Sequence, residues 1–180
     1  MIKGRFSYWF YTISYILFIY SSLFYGKEVA KHIYKSLGYF HYSILIAVIS
    51  FIGLIIILNI LKKNYTFFEF LILCFFISIV GFAYFFTKFP TDRLHLLEYM
   101  ILGLLIYKSL TYEDIKSDKF RIFLAIVLLL AIAIEDEILQ SYMPNRDAEL
   151  EDIFRDFIGG LAGVVISFIN VDKKIQTQVS

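Results

Sequence analysis

The stretch that decides the fold is residues 120–140, FRIFLAIVLLLAIAIEDEILQ. After Arg121 it runs without a polar residue to Ile134, then breaks into three consecutive acids, Glu135, Asp136 and Glu137. Continuous apolarity of this length excludes the two-residue alternation of a barrel strand and reads as a helix whose every face meets apolar surroundings. Five further blocks have the same character, at 7–25, 42–61, 67–86, 94–110 and 153–171. A run of about 20 apolar residues matches the hydrocarbon thickness of a bilayer. The expected fold is therefore all-α, a polytopic integral membrane bundle of about six transmembrane helices joined by short loops.

Composition agrees. Hydrophobic residues make up 59% of the 180-residue chain and charged residues 18%, against about 45–50% and 25% in an ordinary soluble domain. The net charge of +1 gives no reason to expect a nucleic-acid partner. The single Cys74 lies inside an apolar block, so no disulfide framework is available. Residues 1–5 are short and basic, but 21–27 lacks a small-x-small cleavage pattern, so the first block is expected to be retained as a span.

With an even number of spans both termini share one side. That side carries Lys3, Arg5, Lys62, Lys63, Lys108, Lys116, Lys119, Arg121, Lys173 and Lys174, ten in all, against seven opposite: Lys27, Lys31, Lys35, Lys88, Arg93, Arg146 and Arg155. The majority places the termini on the cytoplasmic side of the membrane. In the first connection, 26–41, Lys27, Lys31 and Lys35 recur every four residues. They form one basic side of a short interfacial helix or lie on a solvated loop. The connections at 87–93 and 140–152 are separated by two spans and must open on the same face, whichever face that is.

The polar residues gather at those two connections. At the start of the fourth block, Asp92, His95, Glu98 and Tyr99 fall at i, i+3, i+6 and i+7, one stripe of a helix. Glu98 lies about one turn inside the interface, where a charge is costly unless it faces a partner or a wet cavity. Thr91 or Asp92 also suits a helix N-cap. In 135–137 successive 100° steps prevent all three acids from facing one site. Asp136 and Glu137 each make an edge with Gln140, and the third acid reaches toward the head groups. Pro144 is expected to end that helix, with Asn145 in a left-handed turn that carries Arg146 over the acids. In the sixth block Asp152, Asp156, Gly159 and Gly163 share a stripe that is acidic at its mouth and bare deeper down. The two glycines allow a neighbouring helix to approach closely. The two aspartates either serve a ligand or hold the loop through Arg146 or Arg155.

These two segments resemble the VanZ-like family of bacterial membrane proteins. Asp92, Arg93, His95, Tyr99 and Gly103 are similar to its first motif. Asp136, Glu137, Gln140, Pro144, Arg146, Asp152, Gly159 and Gly163 are similar to its second, with Asn145 where the family has Gly and Asp156 where it has Asn. The likeness covers 87–180, whereas 1–86 contributes spans without a recognised motif to the same membrane domain. The resemblance implies an envelope protein from a family linked to resistance to the glycopeptide teicoplanin.

Three functions follow as expectations. The first is recognition of an anionic or lipid-linked head group on the extracytoplasmic side, with Arg146 and His95 on the anion and the acids orienting them. Membrane lipids and a lipid-linked envelope precursor are its partners. The second is an enzyme using a divalent metal or acid–base catalysis on a lipid-linked phosphate or glycan. The third is a polar network without a ligand. No nucleophile elbow, phosphate loop or zinc motif is present, which favours binding over catalysis. No cofactor is expected, although the oxygen-rich residues suit magnesium, calcium or manganese better than zinc.

Overall fold

The computed structural model describes residues 2–60, 66–87, 90–143 and 148–170, with side chains except at 2–5, 26–27, 54–60 and 90–92. It is all-α, and no strand occurs among the described residues. The helices are α1 Ile2–Ile60, α2 Phe67–Phe86, α3 Pro90–Leu110, α4 Asp118–Ser141 and α5 Leu150–Asn170.

The first two apolar blocks are not separated by a loop. α1 runs through both and bends at Gly38, whose φ of 76° and ψ of 162° interrupt an otherwise helical path. Only glycine adopts such a backbone without steric cost. The expected connection at 26–41 is helical because apart from Gly26 and Gly38 it is made of residues that tolerate a helix, with no proline to stop it. The arm at 2–37 is about 54 Å long at 1.5 Å per residue, longer than the roughly 30 Å hydrocarbon layer. Lys31 and Lys35 are exposed on its distal part.

Other boundaries follow local chemistry. Thr66 caps α2 through a reciprocal box: its hydroxyl accepts from the Glu69 N–H, and the Glu69 carboxylate accepts from the Thr66 N–H. α3 opens at Pro90, whose fixed φ and missing N–H suit a first turn. Thr91 and Asp92 thus lie inside that turn and do not cap it. Ser117 caps α4 by accepting from the Phe120 N–H. That helix ends at Ser141, ahead of Pro144 as expected.

α3 and α5 form the centre of the bundle. A Cβ placed on Gly163 would overlap the Met100 carbonyl, one on Gly159 the Leu96 carbonyl, and one on Gly103 the Gly160 carbonyl. Main chain therefore lies directly on main chain, as the spacing of Gly159 and Gly163 suggests. α4 closes one side with Ala125, Leu129 and Ala133, which are fully buried beside Tyr99, Leu102 and Ile106. The first arm of α1 runs antiparallel to α3. Trp9 Nε1 donates to Glu113 at 2.6 Å, the Thr12 and Ser109 hydroxyls meet at 2.8 Å, and Tyr20 donates to Glu135 at 2.8 Å. At the Trp9 end, Tyr112 stacks on Tyr8, and burial together with the Tyr8 hydroxyl raises the Tyr112 phenol above its ordinary range.

Much of the outer surface is apolar, with Phe6, Phe24, Phe67, Phe82, Phe85 and Phe86 all exposed. Water-soluble monomers rarely display patches of this kind. By length and composition two described helical stretches can cross a membrane, Glu28–Gly53 and Phe67–Phe86, where six spans are expected. In α3 and α4 the charges at both ends shorten the apolar stretch, and the first block is diluted by Tyr8, Tyr11, Tyr15 and Tyr20.

Gly163→Ala should destabilise the fold by about 1–3 kcal/mol, since backbone must move to make room. Gly160→Ala, which meets the flexible Leu129 side chain, should cost less, and Gly81→Ala, with open space around it inside α2, should stabilise by about 0.5–1 kcal/mol. Thermal unfolding of the three purified variants checks this order.

Candidate functional site

The glycine contact determines what stands at the ends of α3 and α5. Because Gly159 lies on the main chain of Leu96, Asp156, one turn earlier on α5, is delivered beside His95. Asp136 arrives from the last turns of α4. His95, Asp136 and Asp156 each offer a ligating atom, and those atoms lie within 4.8 Å of one another. Three helices therefore converge on a point at the end of the bundle where the sequence places the connections 87–93 and 140–152.

Burial separates the members of this cluster. Asp136, Glu137 and Asp156 are 0%, 1% and 3% exposed, and Tyr99 is completely covered, whereas the His95 and Glu98 side chains retain 21% exposure each. Carboxylates are seldom buried without partners, so this arrangement has a specific electrostatic cause. His95 Nδ1 lies 3.1 Å from Glu98 Oε2. Gln140 Nε2 donates to Asp136 Oδ2 at 2.9 Å. Glu137 Oε2 accepts from the Glu149 backbone N–H at 2.9 Å and so ties the return loop to α4. Tyr99, one turn on from His95, lies within the fields of Asp156, Asp136 and Glu137, and its hydroxyl has no hydrogen-bond partner among the described residues.

Of the three consecutive acids, two turn inward and one does not, as helical geometry requires. Glu135 is exposed and accepts from Tyr20 on α1. Asp152 stands at the rim and pairs with Arg155 at 2.9 Å, and Arg155 also approaches Glu151 at 3.7 Å. The loop-holding alternative thus describes Asp152, while Asp156 belongs to the cluster. Arg146, Asn145 and Pro144 lie outside the described residues, as does the side chain of Asp92. Gly103, Gly159 and Gly163 have the packing role expected of them.

Several residues at the site were not anticipated. Tyr20 lies against Glu135, and Tyr15 lies within the field of Glu98. Both come from the first apolar block, which has no motif. The only signal there is a set of tyrosines in a stretch that lipid contact alone would fill with aliphatic residues. Arg93 faces away from the cluster: it donates to the Thr87 carbonyl at 3.2 and 3.3 Å and stacks on Tyr84 at 5.3 Å. With Leu97 and Met100 it lines a groove of about 540 Å³ bordered by α1, α2 and α5. At 100° per residue these three positions lie on the side of α3 opposite His95 and Tyr99.

The cluster can hold a cation, bind a polar head group through hydrogen bonds, or pass a proton between His95 and the carboxylates. No family model, no curated protein and no solved structure is similar to this chain at a level that identifies it.

Glu137→Ala should release the segment at 148–152, because the Glu149 N–H then loses a charge-assisted bond to Glu137, at a cost of about 1.5–3 kcal/mol. Amide exchange there should accelerate by about tenfold or more in the variant. Glu135→Ala, on the outer face, should leave it unchanged.

Proposed function

We propose that this chain is a VanZ-like polytopic protein of a bacterial cytoplasmic membrane. It recognises the polar head group of a lipid-linked envelope molecule on the extracytoplasmic side. The observation that carries this reading is the convergence of His95, Asp136 and Asp156 from three helices at one end of a bundle whose outer surface is apolar. In a membrane the apolar surface faces acyl chains, and the six apolar blocks cross the bilayer with both termini in the cytoplasm. An ionisable cluster at such a depth marks a ligand or ion site.

Arg146 supplies the guanidinium that meets an anionic group. His95 assists it, and Asp136, whose carboxylate lies beside the imidazole, orients the two, while Glu137 and Asp152 hold the Glu149 N–H and Arg155 at the rim. Asp156 stands where the family motif has Asn and adds an acid to the pocket, which shifts the preference toward ligands that bring positive charge with them. The groove beside Arg93 offers lipid chains an apolar wall next to a guanidinium, in keeping with a lipid partner. Glycopeptide susceptibility is a property of the family that this chain resembles, and teicoplanin sensitivity of a host with and without the protein measures whether it extends here.

Two experiments test the proposal. In a Cys74→Ser background, Ser141→Cys should react with a membrane-impermeant maleimide in intact cells. Labelling only after lysis would overturn the outward-facing pocket. A photoreactive analogue of a lipid-linked envelope precursor should crosslink to the wild type, with the signal reduced at least about tenfold in Arg146→Ala and in Asp136→Asn. Equal crosslinking in folded variants would refute head-group recognition at this pocket.

A further inference from the structure

We propose that His95, Asp136 and Asp156 hold one divalent metal ion of the manganese class at the polar end of the bundle. The ligating atoms come from α3, α4 and α5 and lie within 4.8 Å of one another. Metal–ligand distances of about 2.0–2.6 Å place two atoms on opposite sides of one ion about that far apart. The donor set is one imidazole nitrogen and two carboxylates. Carboxylates suit magnesium, calcium and manganese, and an imidazole draws the choice toward a transition ion, so manganese satisfies both.

The surroundings match the supporting layer of a metal site. Glu98 Oε2 lies 3.1 Å from His95 Nδ1. A carboxylate at that distance stabilises the imidazole electrostatically and can orient the ring when a metal is bound to its other nitrogen. Gln140 holds the second oxygen of Asp136, which orients the first. Burial makes the electrostatic case, because Asp136 and Asp156 are covered almost completely and a divalent ion relieves the repulsion between them.

Tyr99 is an observation independent of the acids. Its phenol is fully buried among carboxylates yet bonds to none of them. Buried hydroxyls are normally partnered. A donor held beside a carboxylate cluster in this way is placed to meet a metal-bound oxygen, whether of water or of a ligand.

The inference deepens the head-group reading and rests on the same pocket. A bound cation turns an acid-rich hollow into one that accepts an anion, and the ligand class becomes phosphate-bearing head groups, whose oxygens complete the coordination of such ions.

The test uses the full chain in detergent micelles, stripped with EDTA and titrated with MnCl2, with free Mn2+ read by electron paramagnetic resonance. One ion per chain should bind. Asp156→Asn and His95→Gln should each weaken binding at least about tenfold, and Glu135→Gln should leave it unchanged. Absence of stoichiometric binding, or equal binding in Asp156→Asn and His95→Gln, overturns the proposal. If a variant does not fold, the wild type still decides. Its bound Mn2+ should show nitrogen coupling from one imidazole in electron spin-echo spectra, and a spectrum without nitrogen coupling overturns the assignment. No lipid is present in the titration. Its failure therefore leaves the crosslinking result intact, whereas normal Mn2+ binding without crosslinking would remove the head-group reading alone.

Discussion

The contact on which the rest depends is main chain against main chain between α3 and α5. Gly103, Gly159 and Gly163 lack the side chains that would hold the two helices at an ordinary separation. In an apolar environment hydrophobic burial does little to bring helices together, and close van der Waals packing becomes the main attraction. The same contact fixes register. With Gly159 seated on Leu96, Asp156 is placed beside His95, and a side chain at any of the carbonyl-facing glycines would separate them. Packing and site therefore share one cause, and the glycine stripe is as much part of the site as the acids above it.

The C-terminal half was legible in the sequence because its signals are periodic and local. The i, i+3 and i+4 spacing of His95, Glu98 and Tyr99 and the stripe from Asp156 to Gly163 translate directly into faces of helices. The 100° rule correctly separated Glu135 from its inward-facing neighbours. The first half was less legible for the same reason. An apolar helix that meets apolar surroundings on most sides carries little pattern, so nothing at 1–60 distinguished a loop between two spans from one long helix bent at Gly38. The basic run at Lys27, Lys31 and Lys35 read equally as loop or helix, and only the lack of a proline favoured the helix. Tyr15 and Tyr20 reach the site through tertiary contact, which no local spacing reports.

α3 separates two different chemistries. One side presents His95 and Tyr99 to the acids of α4 and α5, and the other presents Arg93, Leu97 and Met100 to the groove beside α2. Charges of opposite sign, Arg93 and Glu98, thus leave the first turns of this helix in different directions. Arg93 is kept from the acids by helical geometry, and its guanidinium is satisfied by the Thr87 carbonyl and the Tyr84 ring instead. Had the arginine stood two positions later it would have neutralised the cluster internally. The acids retain their demand for positive charge because the nearest described guanidinium on α3 is turned away.

That demand distinguishes a binding centre from an inert polar network. A network that served folding alone would pair its members mainly with one another, as the two terminal nitrogens of Arg121 do at the other end of α4 with Asp118 and the Ile115 carbonyl. At the site, some members behave in this way: Gln140 serves Asp136, and Glu149 serves Glu137. Tyr99 does not, although carboxylates surround it. Stability alone would favour phenylalanine at that position, since the ring is buried and its hydroxyl contributes no bond within the protein. The hydroxyl is accounted for when the acids, the imidazole and the phenol all act on the same bound species.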